Sequence, residues 1–275
     1  MECCPRILVY TDLDECILDR SYSAGPATSL LQRLRLLGIP VVPSSSKTVH
    51  EMMYFLKTIG IGITPIGVIM VAEEGSAIYS SPGLLSEAHG MIVDYGLEIY
   101  ELSPRLREIE WLVEDSLAAC RDRVVRFTKA HPSLISKLTG LSYDLALLAS
   151  KRTYTEVVWS PSKDCLGRIK RRAEELGLRV FQGRRFLHLA AHQGKIYALR
   201  VLLRQIPRLR SIEAVVALGD SELDREVIEE ADIGIVIPHP EGLGVKPRRP
   251  YYLVASEPAP NGWIEAVSRL LVQLA

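Results

Sequence analysis

The chain has 275 residues, 48% hydrophobic and 24% charged, which is enough apolar material for one large or two moderate cores and excludes a disordered chain. Lys plus Arg and Asp plus Glu are equal at 33 each, so no net basic field argues for nucleic acid or an anionic membrane as partner. Cys3, Cys4, Cys16, Cys120 and Cys165 contain no CxxC pair, which speaks against a zinc site or disulfide framework. Reduced thiols, no signal-peptide pattern and no apolar run of membrane-spanning length predict a cytoplasmic protein.

In chain order, Arg6 to Tyr10 reads as a strand that runs into Asp12 and Asp14, one leucine apart. Asp is disfavoured in strands, and two carboxylates ~4 Å apart repel by about 4 kcal/mol at an effective dielectric near 20. A positive partner is implied. Ser29 to Leu37 sets Leu30, Leu31, Leu34 and Leu37 at helical spacing, with Gly38 as the stop. "IPVVP" at 39–43 predicts a short strand. Thr48 to Ile59 predicts a helix whose Thr48 and Glu51 have the spacing of a capping box. "GVIMV" at 67–71 predicts a third strand, and the alternation implies parallel pairing through right-handed crossovers.

Pro82-Gly83 predicts a turn, after which the rhythm changes. Helices are predicted over 104–120, 131–139, 142–152 and 164–176, with strands over 156–159, 178–182 and 185–189. Arg168, Lys170, Arg171 and Arg172 predict a solvated helix face. The alternation then returns: helix Lys195–Gln205, strand "AVVALGD", helix Glu222–Ala231, strand "IGIVIP", a strand over Pro250–Ala255 and a closing helix from Gly262. The predicted fold class is α/β. A Rossmann-like parallel-sheet core from 1–83 and 189–275 is interrupted by an inserted α+β domain over 84–188.

Open parallel sheets bind ligands at the carboxyl ends of their strands. Asp12/Asp14, Ser44-Ser45-Ser46-Lys47 and Asp220/Asp224 all follow predicted strands, and "HQGK" opens the helix at Lys195. Several carboxylates together suit Mg²⁺, while hydroxyl, ammonium and backbone N–H groups suit phosphate oxygens. The set points to phosphoryl transfer, in which one carboxylate attacks phosphorus and a second works as acid and base. Taken singly, each piece has a plainer reading. Ser44 to Ser46 make a polar turn, Asp220 caps a helix, and Asp224 is a first-turn acid.

"TDLDECIL" (11–18), "PSSSKT" (43–48), "GK" (194–195) and "GDSELD" (219–224), in that order, resemble the four motifs of the haloacid-dehalogenase (HAD) phosphatase superfamily. The resemblance implies Asp12 as nucleophile and Mg²⁺ ligand, and Asp14 as general acid/base with its main-chain carbonyl on the metal. It implies Ser45 and Lys195 on the phosphoryl group, and Asp220 on the metal with support from Asp224. The insert between the second and third motifs is similar to a type IIB cap. A narrower resemblance, carried by "KLTGLSYDLALLASKRTYTEVV" (137–158), "QGRRFLHL" (182–189), "SSSKT" and "ADIGIVIPHPEG" (231–242), is to the mannosyl-3-phosphoglycerate phosphatase family.

That family implies a small phosphorylated sugar–glycerate substrate, with Lys47, Arg152, Glu156, Arg184 and Arg185 as candidate contacts to it. Arg152 with Glu156 reads equally as a structural ion pair. Only one of Arg184 and Arg185 can face a site, because they alternate along a strand. His188, His192 and Tyr154 read as packing residues. Departures stand at Glu15-Cys16, where relatives usually carry Gly-Thr, at Glu74 and Leu223, where Asn is common, and at Gln182 in place of Gly. The alternatives are another sugar-phosphate phosphatase or a phosphomutase on the same scaffold, or a non-catalytic protein that kept the fold.

Overall fold

The computed structural model describes residues 6–86, 92–183, 185–191 and 193–274. From the N-terminus the chain forms β1 (Ile7–Thr11), α1 (Ala27–Leu36), β2 (Val41–Pro43), α2 (Val49–Ile59), β3 (Ile63–Thr64), β4 (Gly67–Ala72) and β5 (Ala77–Ser80). Next come β6 (Ile92–Val93), β7 (Leu97–Glu101), α3 (Leu106–Leu117), β8 (Val125–Arg126), α4 (Pro132–Thr139), α5 (Tyr143–Ser150), β9 (Glu156–Trp159) and α6 (Lys163–Glu175). The remainder is β10 (Arg179–Gln182), β11 (Leu187–Ala190), α7 (Lys195–Gln205), β12 (Ala214–Gly219), α8 (Arg225–Glu230), β13 (Ile233–Val236), β14 (Leu253–Val254) and α9 (Asn261–Leu274).

β1 is apolar on both faces because it lies inside a parallel sheet of order β14-β13-β12-β1-β2. Its alternation splits the core in two. Val9 joins Val216, Leu218 and Val41 under α1, α2 and α9, while Leu8 and Tyr10 join Val42, Val215 and Ala217 under α7. Helix α1 buries Ala27, Leu30, Leu31 and Leu34. Leu37, predicted on that stripe, lies past the helix end and is exposed, because Gly38 at φ 76° turns the chain away. The capping box on α2 forms as predicted: Glu51 N donates to Thr48 Oγ1, and Thr48 N donates to the Glu51 carboxylate.

One pairing departs from expectation. β4 pairs antiparallel with β3 and β5, and meets the end of the parallel sheet in parallel sense at the Ser44–Val71 bridge, with Ser45 N donating to Val71 O and Glu74 N to Ser45 O, both at 3.0 Å. The tight turn at Glu73–Gly75 reverses the chain before a crossover helix can form, and a second sheet of order β3-β4-β5-β7-β6 results. A third antiparallel sheet, β10-β11-β9-β8, carries α3 and α6 on the core of Val113, Ile169, Val158 and Leu189. The architecture is thus a Rossmann-like parallel sheet with antiparallel, cap-like insertions. β5 to β8 were not legible as strands: β6 and β8 have two residues each.

Candidate active site

β1 ends with Thr11, whose hydroxyl accepts from the Trp263 indole at 3.1 Å and donates to Asp12 O at 3.0 Å. Asp12 N donates to Leu218 O on β12, so the first acid starts its loop at the sheet edge. Cys16 is buried with Sγ 3.4 Å from Thr11 Oγ1.

β12 delivers the other acids. A methyl group on Gly219 would lie 2.2 Å from Asp224 Cβ, so glycine is required for Asp224 to fold back there. Asp224 Oδ2 accepts from Asp220 N, Ser221 N and Ser221 Oγ at 3.1 to 3.3 Å. Its other oxygen accepts from Lys195 Nζ at 2.7 Å. Lys195 is the first residue of α7 and also reaches Asp12 Oδ1 at 3.0 Å. All four side chains are buried.

The second predicted cluster joins from β2. Ser45 is fully buried, and its Oγ accepts from Lys47 N at 3.3 Å. The Lys47 ammonium is 2.9 Å from Asp14 Oδ1 and 3.7 Å from Glu51 Oε1, and lies over the Tyr22 ring. Asp14 remains partly exposed, which leaves it accessible to substrate and water. The positive partner implied by the paired acids is therefore two lysines, one for each acid.

Burial shapes the ionisation. It lifts the Asp12 carboxyl to about 7, with Lys195 opposing and Asp224 and Asp14 adding. It pushes Asp220 up as well, helped by Asp224 and Asp12. Burial alone would lower the Lys195 ammonium, but Asp12, Asp224 and Glu74 together hold it well above its ordinary value. One oxygen from each of Asp12, Asp220 and Asp224 lies within 4.8 Å of the others. Crowded, desolvated carboxylates with hard oxygen donors fit a divalent cation.

The predicted substrate contacts sort differently. Arg152 is 3.8 Å from Glu73, not paired with Glu156, and donates to Ser46 O at 2.8 Å, tying the insertion to the Ser44–Lys47 loop. Glu156 is fully buried and accepts from Arg126 Nε at 2.8 Å, Thr128 N at 3.2 Å and Thr128 Oγ1. The Arg152–Glu156 ion pair of the sequence reading is therefore not formed: each residue has another charged partner. Arg185 donates to Leu138 O at 3.0 Å and Thr139 O at 3.4 Å. Arg184 and His192 lie outside the described residues. His188 is buried, and Tyr154 is buried with its hydroxyl donating to Glu101 at 2.7 Å.

Two groups, Tyr10 and His239, escaped the sequence reading, and Glu74 entered it only as a departure from the resemblance. The Tyr10 hydroxyl, hidden in an apolar run, donates to Lys195 O at 3.0 Å and lies 2.8 Å from Ser44 Oγ, whose hydroxyl can donate to it. Glu74 is fully buried 4.0 Å from Lys195 Nζ. His239 lies 3.3 Å from Asp220 Oδ2 and 2.8 Å from Glu15 Oε2. Burial raises the Glu15 carboxyl, but Arg20 and His239 outweigh it and hold Glu15 below the usual range. A cleft of about 800 Å³ opens alongside, with Ser221, Leu223 and His239 on one wall and Lys170, Arg179 and Gln182 on the other.

No family model matches the chain. The mannosyl-3-phosphoglycerate phosphatase of Aeropyrum pernix is 33% identical over 260 residues, 93% of this chain and 91% of that protein. In fold, the chain is similar to a haloacid dehalogenase-like hydrolase from B. subtilis (TM-score 0.67, 15% identity, 98% of this chain and 99% of that one). It is also similar to the sucrose-phosphatase of Synechocystis, solved with sucrose and phosphate (TM-score 0.58, 16% identity, 96% and 98% covered). With the ordered motifs at one sheet edge and a full-length relative at this identity, the chain belongs to the mannosyl-3-phosphoglycerate phosphatase family of HAD-superfamily hydrolases.

Proposed function

We propose that this chain is a magnesium-dependent phosphomonoesterase that hydrolyses mannosyl-3-phosphoglycerate to mannosylglycerate, a compatible solute, and inorganic phosphate. The observation that supports this most is the meeting of Asp12, Asp220, Asp224 and Lys195, from distant parts of the chain, in one buried cluster. One Asp12 oxygen attacks phosphorus, the bond from phosphorus to the glycerate oxygen breaks, and Asp14 gives that oxygen its proton. Asp14 then takes a proton from water, whose oxygen attacks the aspartyl-phosphate, and the bond from phosphorus to Asp12 breaks. Lys195 and Ser45 hold phosphoryl oxygens throughout. Asp12, the Asp14 carbonyl and Asp220, with Asp224 beside them, would hold Mg²⁺, which when bound supplies positive charge against the phosphoryl oxygens.

Residues 84–188 form the specificity cap of this reading, and 1–83 with 189–275 the catalytic core. Lys170 and Arg179 are candidate contacts in the cleft for the substrate carboxylate, with Arg179 also paired to Glu226 and with Glu222 and Glu241 on the same lining. Lys47, Arg184 and Arg185 are the further cationic candidates, while Arg152 and Glu156 contribute by holding the loops. Phosphate release from mannosyl-3-phosphoglycerate, mannose phosphates and sucrose phosphate, with and without Mg²⁺, tests the reading. The highest kcat/KM is expected for the first, and Asp12→Asn should lower it by about 10³-fold or more. Faster turnover of another ester overturns the substrate, and an active Asp12→Asn overturns the mechanism.

A further inference from the structure

We infer that Glu15 and His239 form a positioning pair that aims the Asp220 carboxylate at the cation site. This rests on the reading of Asp220 as a metal ligand. The groups form a line from solvent to the buried cluster. Arg20 Nη1 donates to Glu241 at 2.6 Å, and Arg20 Nε to Glu15 Oε2 at 2.8 Å. Glu15 Oε2 faces His239 Nδ1 at 2.8 Å, and His239 Nε2 lies 3.3 Å from Asp220 Oδ2. Exposure of the side chains falls along the line from 57% at Glu241 to 9% at Asp220.

Two backbone features are shaped for this contact. The His239 turn is closed in both directions, His239 N to Gly242 O at 2.9 Å and Gly242 N to His239 O at 3.0 Å. A Cβ on Gly244 would lie 2.3 Å from His239 Nε2 and 2.4 Å from Asp220 O, so glycine there lets the ring approach the acid. Glu15 itself sits at φ 49°, a left-handed conformation that glycine would adopt without strain. The chain keeps a strained carboxylate at this position, and its carboxylate meets the imidazole. An outer partner that fixes one carboxylate oxygen leaves the other directed inward, and loss of such partners typically costs 10–100-fold in metal affinity.

Calorimetric titration of the full chain with magnesium chloride alone tests the pair. His239→Ala should raise the Mg²⁺ dissociation constant about 10–100-fold. Glu15→Gly should raise it in the same direction, and His239→Gln, which restores an N–H near the Nε2 position, should recover part of the loss. In Glu15→Gly the relief of the backbone offsets the lost contacts to Arg20 and His239, so its melting temperature in EDTA should stay within a few degrees of the parent's, and this variant carries the test if His239→Ala fails to fold. Parental Mg²⁺ affinity in His239→Ala and Glu15→Gly, with binding lost in Asp220→Asn, overturns the positioning pair and leaves the metal ligand standing. Parental binding in Asp220→Asn overturns both.

Discussion

Glu74 shows how far one residue can depart from the pattern around it. Neither of its carboxylate oxygens has a hydrogen-bond partner among the described residues, and it is fully buried. Burial, opposed by Lys195 and aided by Asp12, lifts its carboxyl from 4.5 to about 7. Between those values the folded protein holds more protons than the unfolded chain, so this group lowers stability as pH rises through the window and no further above it. The shift corresponds to a penalty on the order of 3 kcal/mol above pH 7. Glu74→Gln should therefore flatten the stability profile between about pH 4.5 and 7. It should also raise urea-derived stability at pH 8 by roughly 2–3 kcal/mol, and an unchanged slope would contradict this account.

At the scale of elements, the joint between the insertion and the parallel sheet is made by a turn and a strand end. Glu73 and Glu74 are consecutive at φ 50° and 60°, and the strained turn puts the Glu73 carboxylate under the start of β9. There it accepts from Thr153 N at 2.9 Å, Tyr154 N at 3.1 Å and Thr155 N at 2.9 Å. Glu73→Ala would orphan the buried Tyr154 and Thr155 N–H groups and strip a partner from half-buried Thr153, and a loss of about 3–5 kcal/mol is expected in denaturant titration. On the next residue of the strand, Glu156→Ala strips a partner from buried Arg126, which keeps Glu110 at 3.0 Å and also Glu114. A loss of about 3 kcal/mol with KM unchanged is expected. A raised KM in a stable Glu156→Ala protein would return that residue to the substrate.

For the whole molecule, the folded state alone gathers Asp12, Asp220 and Asp224, so a cation bound there should act on global stability. At 100 times its dissociation constant, Mg²⁺ should add about 2.7 kcal/mol, a rise of several degrees in Tm for a chain of this size. Thermal melts with Mg²⁺ against EDTA check it, and Asp220→Asn should erase the difference. Ligation needs ionised carboxylates, and Asp12 is lifted to about 7, so Mg²⁺ affinity should strengthen as pH rises through 7. Affinity independent of pH between 5 and 8 would show that Asp12 is ionised across that whole range.

What the sequence by itself determined was local. Apolar runs, the Thr48–Glu51 box and the helical spacing of α1 and α7 depend on residues a few positions apart, and the four motif pieces sat at readable strand and helix ends. Only the tertiary structure decided which charges meet. Lys195 and Asp12 are 183 positions apart and His239 and Glu15 are 224, distances over which no periodicity carries information. It also decided which way β4 pairs, and gave Arg152 and Glu156 to Glu73 and Arg126. A buried charge takes whichever partner the folded backbone brings within about 4 Å, and that choice is made by packing rather than by neighbours in the chain.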